Sequence, residues 1–280
     1  MNIDVRKYQL KQLDLIKEID KVCTVLGITY YLIGGTLLGA IRHGGFIPWD
    51  TDMDIALKRE DYEKLRKYWE NNENSKFFFQ HYENEKNHLS PHAILKLKGT
   101  RIFFKNRNSE KYVPKYSGLF LDIFPLDEPP CDKKSQEKQA KAIRLIEQII
   151  ELKAAFTYNN TGKMKLFAKK LIQFLLFPFS LHFLQKKLDG VMQKYNGSGS
   201  GYLVSMASHY SYWKQLMPAD IYGEPVKVSY EGLLLSAPAE IDEYLKRIYG
   251  DYMKLPPENK RSNEMENILN VDYGEYYEEK

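Results

Sequence analysis

Between Val5 and Leu26 apolar side chains recur at Leu10, Leu13, Ile16, Ile19 and Val22, a three-residue step that predicts a helix with one greasy stripe, stopped by Gly27. Ile28 to Ile33 is β-branched and aromatic and predicts a strand; Gly34-Gly35 then opens a bend into a short helix through Arg42, with Thr36 as its N-cap. After the His43-Gly44-Gly45 turn and Pro48-Trp49, residues Asp52 to Leu57 alternate acidic or small with apolar, the pattern of a half-buried strand. Arg59 to Asn71 reads as helix and Phe77 to Tyr82 as extended chain. Ala93 to Phe104 predicts a hairpin turning at Lys98-Gly99-Thr100, and Leu119 to Phe124 a strand ended by Pro125. Beyond Pro129-Pro130 the chain reads as mainly helical from Ser135 to about Tyr195, followed by Asn196-Gly197-Ser198-Gly199-Ser200-Gly201, a loop or small linker by composition. Tyr202 to Lys280 mixes short strands with one helix, Ala239 to Tyr249. The expected division is a core at 1–130, a mainly helical segment at 131–200 and a C-terminal part at 201–280 that packs on the core.

Composition narrows the class. With 280 residues, 43% apolar and 28% charged, the chain has ample material for a core and none of the bias of disordered, collagenous or disulfide-stapled proteins. Two cysteines, Cys23 and Cys131, make no framework or zinc site and fit a reducing, cytoplasmic setting. A formal charge of +4 is too mild for a dedicated nucleic-acid binder but suits anionic ligands. No secretory leader or spanning helix is expected. The greasiest stretch, Leu171 to Leu184, is flanked by Lys163, Lys165, Lys169, Lys170, Lys186 and Lys187 and has two readings: a helix in an anionic headgroup layer, making residues 163–187 a peripheral membrane contact, or a core helix pair.

The candidate chemistry lies in carboxylates and glycines. Asp52 and Asp54, two apart on a strand, point to one face. Side by side they are either a solvated strand edge or a pair bridged by a hard divalent cation, Mg²⁺ or Mn²⁺. Gly34-Gly35-Thr36 is either a plain turn or a place where backbone amides meet an anion. Asp122, in the middle of an apolar strand, needs a partner, and a metal shared with Asp52 and Asp54 provides one. Arg42 either meets a phosphate or pairs Asp50, which itself is expected to support Asp52 rather than ligate. Lys96 and Lys98 share a strand face, and their plainest reading is as solvated lysines. His88, His92 and His209 lack ligand spacing and read as surface or core histidines.

A strand, glycine pair, short helix, Asp-x-Asp strand and later lone Asp together resemble the palm of nucleotidyltransferase-type enzymes: α/β in the α+β sense, a mixed central sheet flanked by helices, here with a helical insertion. The run from Leu37 to Ile55, which holds Ile41-Arg42-His43-Gly44-Gly45 and Pro48-Trp49-Asp50-Thr51-Asp52-Met53-Asp54, closely resembles the signature of LicD-type phosphotransferases, relatives of the fukutin-type enzymes. The resemblance continues through Lys96 to Thr100, Leu121 to Asp127 and Tyr249 to Pro257. Many relatives carry a third acid where Thr51 stands and an Arg where Lys98 stands. The resemblance implies transfer of phosphocholine from CDP-choline to a sugar hydroxyl of a teichoic acid or related lipid-linked glycan precursor at the cytoplasmic face, with release of CMP. It also implies two Mg²⁺ (or Mn²⁺) held by Asp52, Asp54 and Asp122, donor contacts from Gly34, Gly35, Thr36, Arg42, Lys96 and Lys98, and an aromatic seat for choline among Trp49, Tyr210, Tyr212 and Trp213. Alternatives are another activated polyol phosphate, nucleotidyl transfer, or a silent membrane-associated scaffold.

Overall fold

The structure, a computed structural model, describes residues 3–72, 75–86, 88–105, 114–154, 178–261 and 267–274. The mixed central sheet has five strands in the order β1 (Tyr31–Leu32), β2 (Asp54–Lys58), β6 (Phe120–Leu126), β4 (Ala93–Leu97) and β3 (Phe77–Gln80). Only β2 and β6 run parallel; the other neighbours are antiparallel. Fully buried Ile55, Ala56, Leu57, Leu121, Ile123 and Leu95 make the centre of the sheet, where both faces are covered. The α+β expectation holds.

Helix α1 (Val5–Leu26) lies against β6 and β4, capped by Asp4, whose carboxylate accepts from Lys7 N at 3.0 Å, and ended by Gly27 at φ +62°. Its stripe differs from the expected one. Leu10 is 44% exposed, because a strict step of three drifts around a helix of 3.6 residues per turn, and Tyr8, Gln9, Gln12 and Leu15 fill the buried face instead. Helix α2 (Gly34–His43) follows β1 directly, and α3 (Arg59–Glu70) follows β2. Its N-cap residue is Ile33, so Thr36 sits inside the first turn rather than capping it.

The expected hairpin at 93–104 is not formed. The turn is there, with Gly99 at φ +79°, but β5 (Arg101–Phe104) pairs with β11 (Ile268–Asp272) from the C-terminal part. The reason is that β4 has no free edge: β6 occupies one side and β3 the other. Thr100 Oγ1 fixes the departure, donating to Leu97 O at 2.8 Å and accepting from Leu119 N at 2.9 Å.

Helices α4 (Lys133–Ala154) and α5 (Leu181–Gln193) pack on each other, α5 being capped by Ser180. Residues 155–177 lie outside the described ones, so the first half of the greasy stretch does too. Its described end is divided: Leu181 and Leu184 are buried while Phe179 and Phe183 stack on each other in an exposed position. Among the described residues no helix is long and apolar enough to cross a membrane.

The Gly/Ser run at 196–201 is tied down. Asn196 Oδ1 accepts from Glu128 N at 2.7 Å, its amide donates to Asp127 Oδ1 at 2.7 Å, and Gly199 N donates to Glu128 Oε2 at 2.9 Å. It leads into two small antiparallel pairs, β7 (Tyr202–Leu203) with β8 (Met217–Pro218) and β9 (Val226–Tyr230) with β10 (Leu233–Ala237). Helix α6 (Ile241–Tyr249) then packs on α2 and brings the C-terminal part to the sheet's functional edge.

Candidate active site

Parallel pairing of β2 with β6 places Asp54 and Asp122 as register partners, and Asp122 N donates to Met53 O at 2.8 Å. Asp52 lies two residues before Asp54 on the same face, while Met53 and Ile55 point into the core with no exposed surface. The side chains of Asp52, Asp54 and Asp122 each offer an oxygen within 4.8 Å of the others. All three open into a cavity of about 890 Å³.

Three carboxylates this close repel. Burial, followed by the charges of Asp54, Asp50 and Asp122, pushes the Asp52 carboxyl up to about 10. His92 Nε2 approaches Asp122 Oδ1 at 3.3 Å, yet without the alignment of a hydrogen bond, so that buried oxygen has no hydrogen-bond partner. An orphaned buried carboxylate oxygen beside two further acids is the donor set of a hard divalent cation, and these residues fit Mg²⁺ or Mn²⁺.

The glycine pair has a steric reason. A Cβ on Gly34, which stands at φ +56°, would lie 3.0 Å from Asp54 Oδ2, and one on Gly35 would lie 2.6 Å from Asp50 Oδ2. Both glycines line the cavity. The Gly34 amide already donates to the Tyr244 hydroxyl at 3.1 Å, so it is engaged within the protein. Thr36 is buried away from the cavity, and its Oγ1 accepts from Asp54 N at 2.8 Å, riveting α2 to the acid-bearing strand.

The remaining expected residues divide sharply. Lys96 is buried and donates to Tyr116 O at 2.9 Å, and Lys98 donates to Ser75 O at 2.8 Å; neither lines the cavity. Arg42 donates to Tyr252 O at 2.9 Å and not to Asp50; with Trp49 it lines a second, smaller cavity. Asp50 bonds Asp52 and accepts from Thr51 N at 3.0 Å. Tyr210, Tyr212 and Trp213 line the large cavity. Glu147 and Glu151 of α4 also line it, and burial with the neighbouring Glu151 pushes Glu147 up to about 7.

Several residues here escape sequence reasoning. His92 lies on the cavity wall, its ring over Phe124 at 4.2 Å, and only the antiparallel register of β4 with β6 brings it beside Asp122. Tyr244 arrives from α6. Gln9 donates to Ile47 O at 3.0 Å and Asp50 O at 2.8 Å, and Gln12 to Thr51 O at 3.0 Å and Phe120 O at 3.2 Å. The two glutamines hold the loop that carries the acids. Two polar residues three apart on the inner face of α1 were the available signal.

Residues 27–142 match the family described as LicD/FKTN/FKRP, nucleotidyltransferase domain. Along nearly its whole length the chain is similar to the lipopolysaccharide cholinephosphotransferase LicD of Haemophilus influenzae: 30% identical over 264 residues, 91% of this chain and 94% of that protein. The chain belongs to the LicD family. It is a phosphotransferase. Other LicD-family likenesses are shorter: the ribitol 5-phosphate transferase FKRP of Homo sapiens is 52% identical over 40 residues, 14% of this chain and 8% of that protein. An uncharacterised protein of Rickettsia prowazekii is 41% identical over 63 residues, 20% of this chain and 24% of that protein.

Proposed function

We propose that this LicD-family enzyme transfers phosphocholine from CDP-choline to a sugar hydroxyl of a teichoic acid or related lipid-linked glycan precursor at the cytoplasmic membrane face. The observation that carries the reading is the convergence of Asp52, Asp54 and Asp122 on one cavity in a chain so extensively similar to a cholinephosphotransferase. Two Mg²⁺ or Mn²⁺ ions bound there would neutralise the diphosphate and lower the acceptor hydroxyl's pKa.

The protein's own groups have distinct tasks. The acceptor oxygen attacks the distal phosphorus, the bond from that phosphorus to the bridging oxygen breaks, and CMP leaves with the electron pair. Asp122 takes the acceptor's proton, with His92 Nε2 3.3 Å from its Oδ1. Gly34 and Gly35 let the first turn of α2 come close to the acids. Quaternary ammonium groups are held by aromatic faces and carboxylates, and Tyr210, Tyr212, Trp213, Glu147 and Glu151, which all line the cavity, supply both. The Tyr210 ring already receives a cation, Lys214 Nζ, at 4.3 Å.

The test is CMP release from CDP-choline in the presence of Mg²⁺ and glycan precursors, followed by mass analysis of the acceptor. Gain of a phosphocholine unit is the expected result. Release of CMP from CDP-ribitol or CDP-glycerol, with none from CDP-choline, would transfer the reading to a polyol-phosphate donor.

A further inference from the structure

The turn between β9 and β10 is two residues long, Glu231 and Gly232, both left-handed at φ +52° and +79°. Glycine, asparagine or aspartate suits the first place of such a turn, and among the described residues Glu231 is the only non-glycine residue at positive φ. A strained side chain kept at a hairpin tip needs a reason outside the hairpin.

That reason lies in what the tip touches. Glu231 N donates to Gly44 O at 2.9 Å, Glu231 Oε1 accepts from Phe46 N at 3.0 Å, and the Phe46 ring meets Tyr230 edge to face with 5.1 Å between centroids. A Cβ on Gly45 would collide with the Glu231 carboxylate, and because Gly45 is not left-handed, that space is what its missing side chain provides. Arg6 of α1 holds the same carboxylate through two bonds, Nη1 to Oε1 at 2.6 Å and Nη2 to Oε2 at 2.5 Å. With the Arg6 side chain 54% exposed the pair adds little stability, but its fork fixes where the carboxylate points.

The clasped loop is the one that delivers the acids. From Phe46 it continues to Ile47, whose carbonyl receives Asp50 N at 2.9 Å, and Asp50 bonds Asp52. Gln9, one turn after Arg6 on α1, donates to Ile47 O and Asp50 O. Helix α1 thus grips the loop directly through Gln9 and, through Arg6, by way of the hairpin. Burial, then the charges of Asp50, Glu231 and Asp52, raise the pKa of Tyr230, which sets the tip within electrostatic reach of both acids.

We infer that Glu231 is a positioning residue for the acid cluster: from the hairpin tip, 185 positions beyond Phe46, it fixes the course of the loop at 44–50 and with it the place of Asp52. It lies outside the residues 27–142 that match the family. The inference deepens the transferase reading and takes from it only that Asp52 binds a divalent cation.

The deciding variant is Glu231→Asn, which gives the turn a residue it favours while removing the charge and one methylene from the clasp. Glu231→Gln keeps an acceptor for Phe46 N. Mg²⁺ alone is titrated calorimetrically into each, thermal melts verify folding, and amide hydrogen exchange of the metal-free proteins is followed at Asp50 and Asp122. Expected in Glu231→Asn are roughly tenfold weaker Mg²⁺ binding, with Glu231→Gln between, and faster exchange at Asp50, while the Asp122 amide, bonded to Met53 O, keeps its protection. Unchanged Mg²⁺ affinity in folded Glu231→Asn overturns the inference, as does equal acceleration at Asp50 and Asp122, the mark of general loosening. Neither readout involves a donor. If the expected losses occur yet the wild type releases no CMP from any CDP-activated donor, the transferase reading falls and the positioning role stands; CMP release from CDP-choline with a wild-type kcat and Mg²⁺ requirement in Glu231→Asn does the reverse.

Discussion

Two groups of buried charge lie at opposite ends of the same strands, and they are built on contrary rules. At the C-terminal end of β6, Asp127 has no exposed surface and receives Arg59 through two bonds, Nε at 2.8 Å and Nη2 at 2.6 Å. Arg59 Nη1 also reaches Asp189 at 3.0 Å, and Tyr82 donates to that carboxylate at 2.9 Å. One guanidinium serves both carboxylates, and β6, α3 and α5 are joined by it. At the N-terminal end of β2, Asp52, Asp54 and Asp122 bring three carboxylates together, with His92 Nε2 3.3 Å from Asp122 Oδ1. The first cluster is built around an arginine, the second around acids that fit a divalent cation.

Removing charge therefore has opposite effects at the two places. Asp52→Asn or Asp122→Asn should lower CMP release by roughly a thousandfold or more, the several kcal/mol that bound divalent cations supply, while raising the melting temperature of the metal-free protein. A variant that keeps substantial turnover would contradict the role given to these acids. Arg59→Met should do the reverse: a loss of about 3–5 kcal/mol in denaturant unfolding, because Asp127 is left buried and unpaired, with activity per folded molecule retained.

Metal sharpens the contrast. Adding Mg²⁺ at about a hundred times its dissociation constant should stabilise the wild type by about 2.7 kcal/mol in thermal melts and leave Asp52→Asn unmoved. An equal shift in both would place the ion elsewhere. The last effect is that of pH, acting through two further buried histidines. Burial holds His81 down to about 2 and His88 down to about 3, so the unfolded chain, titrating near 6.5, binds more protons below that pH than the folded one. Their share of stability is complete above about pH 6.5 and declines as pH falls toward the folded values, by roughly 1.4 kcal/mol per pH unit for each histidine. Urea unfolding of His88→Gln between pH 7 and pH 5 should show a shallower decline than the wild type.

The acids were legible because strand alternation and an isolated charge in an apolar run are local patterns, and the sheet needed only to pair β2 with β6 to unite them. What failed was non-local. The segment after Thr100 looks like the second arm of a hairpin until both edges of β4 are known to be taken. Lys96 and Lys98 look available because nothing nearby in sequence announces that carbonyls of Tyr116 and Ser75 receive them. Thr36 looks like a cap, although the strand it bonds begins 18 positions later. Gln9 and Gln12 carry their information only through the loop they support.

Asp54 and Asp122 stand level on neighbouring parallel strands, and α3, β3, β4 and β5 all lie between them in the chain. Their separation is thus set by the ladder spacing of a sheet and owes nothing to the length of what intervenes. Descendants of this enzyme can lengthen, shorten or replace the surface turns along that stretch, and so reshape what approaches the site, without disturbing the distance between these two carboxylates.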